Sequence, residues 1–209
     1  MVRAIIFDMD GTLLNAVKLH FKAWEKVGDE IGKKVSWKTF LKAVGETDIY
    51  CSKKFFPGKD PYKMREKKIR YYLKLLNKHG KLFPGVKRML QKYHGTYEIM
   101  IASSEYDYVI DKVTEAFGLQ EYVDYRIGKE DVTKHKPNPE IYNKCLKILK
   151  MKPDECVVVE DSLFGIEAAK RAGIKCIAVA QTHPKAKLKK AGADSVITKI
   201  RELKIKKEL

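Results

Sequence analysis

Asp8-Met9-Asp10-Gly11-Thr12 places two carboxylates two positions apart, directly after the apolar run Ala4-Ile5-Ile6-Phe7. An Asp-x-Asp-Gly segment has two ordinary uses. It closes turns, and its carboxylates chelate metal, as they do in unrelated nucleotide-sugar enzymes. Three other polar groups stand in a similar relation to an apolar run. Ser103-Ser104 follows Ile99-Met100-Ile101-Ala102, and Glu160-Asp161 follows Cys156-Val157-Val158-Val159. His135-Lys136-Pro137-Asn138-Pro139 falls between a weaker run at 122–127 and a helical pattern. Taken singly, Ser103 reads as a helix N-cap, Lys136 as a solvated loop lysine, and Glu160-Asp161 as a strand end. Gathered in one place they would supply carboxylates, a hydroxyl and an ammonium. Such a set holds a hard cation through oxygen ligands and balances a phosphoryl group.

The elements that could gather them are short buried strands. Apolar runs at 4–7, 99–102, 156–159, 174–180 and 195–198, with a weaker one at 122–127, suit the buried strands of a parallel sheet. Helical patterns at 86–94, 108–117, 140–150, 165–172 and 185–191 alternate with them, and Gly118 and Gly173 act as stops. This order predicts an α/β fold: a doubly wound parallel sheet in a Rossmann-like, three-layer αβα core with right-handed crossovers. In such sheets ligands sit beyond the carboxyl ends of the strands. Residues 15–83 break the rhythm with helical patterns at 17–31, 37–44 and 61–77 and no strand, until Phe83-Pro84-Gly85 marks re-entry. The expected division is therefore a core of 1–14 and 84–209 with an inserted all-helical domain over 15–83. The tail 199–209, with Ile200, Leu203 and Ile205 among charges, is expected to form a last amphipathic turn.

Composition limits the possible partners. The 209 residues carry 43 Lys and Arg against 27 Asp and Glu, a formal net charge of +16. A basic balance of that size attracts anions, from phosphorylated metabolites to nucleic acid. The lysines are spread along the chain without a nucleic-acid motif, so no specific nucleic-acid binding is expected. No apolar run reaches bilayer-spanning length, and Met1-Val2-Arg3 leads straight into a strand without a cleavable signal pattern. The four cysteines form no CxxC pair and read as reduced core residues. A cytoplasmic location is expected.

At these residues the chain resembles the haloacid dehalogenase superfamily, in the subgroup with a small helical cap after the first strand. The likeness is carried by Phe7-Asp8-Met9-Asp10-Gly11-Thr12-Leu13, Ile101-Ala102-Ser103, Lys136-Pro137-Asn138-Pro139-Glu140 and Val159-Glu160-Asp161-Ser162. It is similar in particular to β-phosphoglucomutase-like and phosphoglycolate-phosphatase-like members. The resemblance implies that Asp8 is a nucleophile carrying a transient aspartyl phosphate and that Asp10 is the general acid and base. It implies a phosphoryl contact from Ser103 and charge compensation by Lys136. Mg²⁺ would be held by Asp8, Asp10 and Asp161, with Glu160 ligating directly or supporting from behind. Gly11, Thr12, Ser104, His20 and Gly45 join Ser103 and Lys136 as expected substrate or phosphate contacts.

Dehalogenases of the superfamily lack the second aspartate, so Asp10 favours phosphoryl transfer. The expected activity is Mg²⁺-dependent hydrolysis of a small phosphate ester by a monomer or weak homodimer. A β-phosphoglucomutase-type mutase is the alternative, since His20-Phe21-Lys22-Ala23-Trp24 is similar to the mutase cap. Those mutases carry a cap arginine three residues after a glycine, where an ungapped match from Gly45 puts Asp48. A nucleic-acid-end phosphatase and a non-catalytic phosphometabolite-binding protein are the remaining alternatives.

Overall fold

The computed structural model describes residues 1–205. The chain divides into two compact units, Met1–Leu14 with Leu82–Leu209, and Asn15–Lys81.

The first unit is built on six parallel strands: β1 (Ala4–Phe7), β2 (Glu98–Ala102), β3 (Tyr125–Ile127), β4 (Cys156–Glu160), β5 (Lys175–Val179) and β6 (Ser195–Ile197). Their order across the sheet is β3-β2-β1-β4-β5-β6. Every pairing is parallel, so all carboxyl ends lie along one edge. All four β1 residues are fully buried. Burial of each of the larger ones, Ile5, Ile6 and Phe7, stabilises the fold by about 1.5–3 kcal/mol.

The second unit is helical: α1 (Val17–Glu30), α2 (Trp37–Leu41), α3 (Asp48–Phe55) and α4 (Pro61–His79). The first unit holds α5 (Val86–Tyr93), α6 (Asp107–Phe117), α7 (Glu140–Leu149), α8 (Leu163–Arg171) and α9 (Lys185–Lys190). Ile6, Met100 and Val158 pack with Ile141, Tyr142 and Cys145 of α7, Ile166 and Ala169 of α8, and Leu188 of α9. Ile5 and Phe7 alternate to the other face, toward the side left for α5 and α6. The helical unit has its own core of Trp24, Val27, Phe40, Phe55, Phe56 and Met64.

Two elements differ from the sequence pattern. The strand expected over 122–127 is paired only from Tyr125. Tyr122 closes a turn on the Leu119 carbonyl, and the Asp124 carboxylate accepts from the Ile99 amide, so both are engaged in ending the connection. In the helical unit, α3 begins inside what read as a loop around Gly45, because the Thr47 hydroxyl accepts from the Tyr50 amide and Asp48 favours the first turn. In the tail, a 3-10 turn forms over Ile200–Glu202, and Ile200 and Leu203 are buried. The rest of that expectation, 206–209, lies outside the described residues. The four cysteines are free and buried. No helix among the described residues is long and apolar enough to cross a membrane.

The loop that enters α7 is closed by the helix's first residue. The Glu140 carboxylate accepts from the Thr133 amide (3.0 Å), the Thr133 hydroxyl (3.0 Å) and the Lys134 amide (2.8 Å). The Asn138 side chain accepts from the Glu140 amide. The two backbone amides, above all, pull the Glu140 carboxyl down to about 2. A carboxylate depressed in the folded state stabilises it above the unfolded value, about 4.3, and that contribution fades as pH falls toward 2. Glu140→Gln is therefore expected to lower the thermal midpoint by a few degrees at pH 7. The gap should narrow below about pH 4.3, as measured by thermal melts from pH 8 down to about pH 2.5.

Candidate active site

Strand register builds the site. Phe7 of β1 pairs with Ile101 of β2 on one side and Val159 of β4 on the other. The next residues in that row are Asp8, Ala102 and Glu160, with Ser103 and Asp161 one step beyond. β1 and β4 are also where the strand order switches, the usual place for a ligand in a sheet of this kind.

Lys136 reaches this row from the loop before α7. Its Nζ donates to Asp8 Oδ1 (2.7 Å), Glu160 Oε1 (2.8 Å) and the Ala102 carbonyl (3.2 Å). Only 5% of its side chain is exposed. Burial alone would pull the ammonium down. Asp8 and Glu160 outweigh that and hold it well above the usual lysine range. Burial pushes the Asp8 carboxyl up, the charge of Glu160 adds to the rise, and Lys136 opposes it.

Glu160 is fully buried and enclosed by donors. Its Oε2 accepts from the Asp161 amide, the Ser162 amide and the Ser162 hydroxyl at 2.8–2.9 Å. Its Oε1 takes Lys136 and the Tyr142 hydroxyl at 3.3 Å. Gly165 makes room for it, since a Cβ there would lie 1.6 Å from Oε1. Asp161 is held differently. Thr12 donates its hydroxyl to Oδ1 at 2.9 Å, and the Thr182 hydroxyl lies against Oδ2 and 3.0 Å from the Asp161 carbonyl. Gly11, at φ +95°, leaves space that a Cβ would close to 2.2 Å from Oδ2. Burial first, then Glu160, raises the Asp161 carboxyl to about 7 despite both threonines.

The structure thus brings together Asp8, Thr12, Lys136, Glu160 and Asp161. Ser103 is buried at the end of β2, and its hydroxyl accepts from the Glu105 amide at 3.1 Å. It is not the N-cap of α6, a place taken by Tyr106. Ser104 is exposed, and Asp10 lies half-buried in the turn after β1. His20 and Gly45 belong to the helical unit. His20 stacks on Tyr72 at 4.2 Å, and Gly45 turns the chain between α2 and α3 at φ +93°.

Three contributors escaped the sequence reading: Thr182, Tyr142 and Gln181, whose side-chain amide donates to the Gly11 and Thr12 carbonyls. Gln181 and Thr182 follow the apolar run of β5, so the strand-end signal that marked Asp8 was available for them too. Tyr142 carried none, because a tyrosine on the apolar face of a helix reads as core.

Asp8, Glu160 and Asp161 each offer a carboxylate oxygen within 4.8 Å of the others. Three buried carboxylates facing one ammonium carry uncompensated negative charge, and a divalent cation with hard oxygen ligands fits that donor set.

Among known proteins, the bifunctional riboflavin kinase/FMN phosphatase of Arabidopsis thaliana is 29% identical over 208 residues. That match covers 97% of this chain, which spans only 55% of the Arabidopsis protein. A phosphorylated carbohydrates phosphatase of Thermotoga maritima is 30% identical over 185 residues, 84% of each chain. The crystal structure of CbbY from Rhodobacter sphaeroides in complex with phosphate superimposes with a TM-score of 0.86 at 24% identity, over 97% of this chain and 96% of that one, and so shares the fold. Residues 5–179 match the haloacid dehalogenase-like hydrolase family, and with the strand-end acids and lysine in place the chain belongs to it.

Proposed function

We propose that this chain is a Mg²⁺-dependent phosphatase of a small phosphorylated metabolite, acting through an aspartyl phosphate on Asp8. The observation that carries the reading is the buried contact of Lys136 with both Asp8 and Glu160 at the sheet's carboxyl edge. Asp8 presents a carboxylate oxygen to phosphorus. As that P–O bond forms, the bond to the leaving oxygen breaks, and Asp10 supplies the leaving oxygen with its proton. Asp10 then takes a proton from the water that attacks phosphorus, which releases inorganic phosphate and returns Asp8 to a carboxylate. Ser103 donates to a phosphoryl oxygen, and Lys136 offsets the charge that would repel an anionic nucleophile from an anionic ester. Gly11, Thr12 and Ser104 shape the same phosphate end. Asp8, Asp161 and the Asp10 carbonyl would hold Mg²⁺, with Glu160 supporting. Bound there, Mg²⁺ supplies positive charge to the carboxylates and to the phosphoryl oxygens.

For the leaving group, a hydroxylated carbon skeleton without a second phosphate is the better reading. In the helical unit Asp48 pairs with Lys68 at 3.0 Å, and Lys68 is only 1% exposed. A mutase needs a cation at the Asp48 position to grip a second phosphate. Here an acid stands there, and a buried lysine is already neutralised by it. The Thermotoga relative, described as acting on phosphorylated carbohydrates, supports the same substrate class.

Asp8→Asn is expected to lower turnover of p-nitrophenyl phosphate with Mg²⁺ by at least about 1,000-fold, since it removes the nucleophile. An unchanged rate would sink the assignment. With β-glucose 1-phosphate as substrate, the product should be inorganic phosphate; accumulation of glucose 6-phosphate would establish the mutase instead. Mg²⁺ should raise the thermal midpoint more at pH 8 than at pH 6. Cation binding requires the Asp161 carboxylate, which the cation-free protein protonates below about 7. The reverse order, in melts with and without chelator, would remove Asp161 from the ligand set.

A further inference from the structure

Lys136 has to face Asp8 although Glu160 lies as near. Its Nζ stands 2.7 Å from one acid and 2.8 Å from the other, on a flexible four-carbon stem rooted in a loop. Glu160 is the more deeply buried of the two acids. Left with free lone pairs on Oε1, it would compete strongly for the ammonium. Lys136 donates to that oxygen even so, and one neighbour shares it. Tyr142, fully buried on the first turn of α7, brings its hydroxyl to 3.3 Å from that same Oε1, and Lys136 Nζ sits 5.2 Å over its ring.

We infer that Tyr142 is a positioning residue for the nucleophile's partner: its hydroxyl shares Glu160 Oε1, and its ring face supports Lys136, so the ammonium stays directed at Asp8. The inference rests on the proposed role of Lys136 in phosphoryl transfer. A donor on an anionic acceptor makes a stronger hydrogen bond than a neutral pair does, and an ammonium over an aromatic face adds to it. Tyr142 touches neither the nucleophile nor any reacting atom, and acts through the two charged groups that it contacts. The placement is itself anchored. Two residues earlier, Glu140 closes the loop that carries Lys136, so one helical turn fixes the lysine's root and its tip.

Tyr142→Phe keeps the ring and the packing and deletes the shared hydroxyl. With saturating Mg²⁺ and p-nitrophenyl phosphate, kcat is expected to fall about 5- to 10-fold with KM within about twofold, from the loss of one hydrogen bond. The thermal midpoint should stay within about two degrees. Tyr142→Leu, which removes the ring as well, should fall further. A double-mutant cycle supplies the decisive readout. In a Glu160→Gln background, Tyr142→Phe should cost less than twofold, because the competing charge is gone. Full additivity in that cycle, or a Tyr142→Phe enzyme with wild-type kcat, would overturn the inference and leave Tyr142 as core. Asp8→Asn, assayed alongside, separates the two levels. If it too keeps full activity, the catalytic reading of the site has failed rather than the role of Tyr142.

Discussion

A buried ammonium and buried carboxylates exist here only on one another's terms. Lys136 in a nearly dry setting is costly alone, and so are Asp8 and Glu160. Paired at 2.7–2.8 Å, each offsets the desolvation of the others. Much around them serves that contact. Gly165 has no side chain because Glu160 occupies its space, and Gly11 has none because Asp161 does. Both glycines are requirements of close approach, set by the acids rather than by the helix or turn in which they lie. A methyl group at either would move a charged group out of its pairing.

Parallel pairing with aligned register then turns short strands into a site. Because β1 is flanked by β2 and β4 in the same direction, the first polar residue after each apolar run arrives at the same edge. A one-residue slip of β4 against β1 would send Glu160 to the opposite face of the sheet and bring Val159 beside Lys136. β1 and β4 are buried on both faces and apolar up to Glu160, which makes such a slip expensive. The chemistry therefore inherits its precision from the hydrophobic core, and one core residue, Tyr142, itself donates to Glu160.

That dependence explains what could be read from the residues alone. The strands and the polar residues that end them share one signal, an apolar run stopping abruptly, so Asp8, Ser103, Glu160 and Asp161 emerged with the sheet itself. Lys136 emerged from its motif, not from any strand. Less legible was everything set by tertiary distance. Thr182 and Gln181 look like ordinary polar residues after β5, and only folding brings them against Asp161 and the Gly11-Thr12 turn. Tyr142 sits at a core position of α7, and its hydroxyl gains meaning only when β4 delivers Glu160 beneath it. The first residues of the 122–127 run were drawn into a turn by hydrogen bonds to Leu119 and Ile99, contacts that local pattern does not encode.

Two adjacent acids show how donors, rather than residue type, divide the work. Glu160 accepts from two amides, two hydroxyls and an ammonium. Two of those donors are backbone groups that cannot turn away, so its carboxylate is fixed in place. Among the described residues, the hydroxyls of Thr12 and Thr182 are what hold the Asp161 carboxylate. A hydroxyl is donor and acceptor on a rotatable bond, so it can release a lone pair without moving the main chain. Of the pair, Asp161 is the one whose oxygens can turn to a hard cation, and Glu160 is the one held against both Lys136 and Tyr142. An exchange of the two residues would preserve the number of acids and lose both sets of contacts, since Asp161 fills the space beside Gly11 and Glu160 reaches Tyr142.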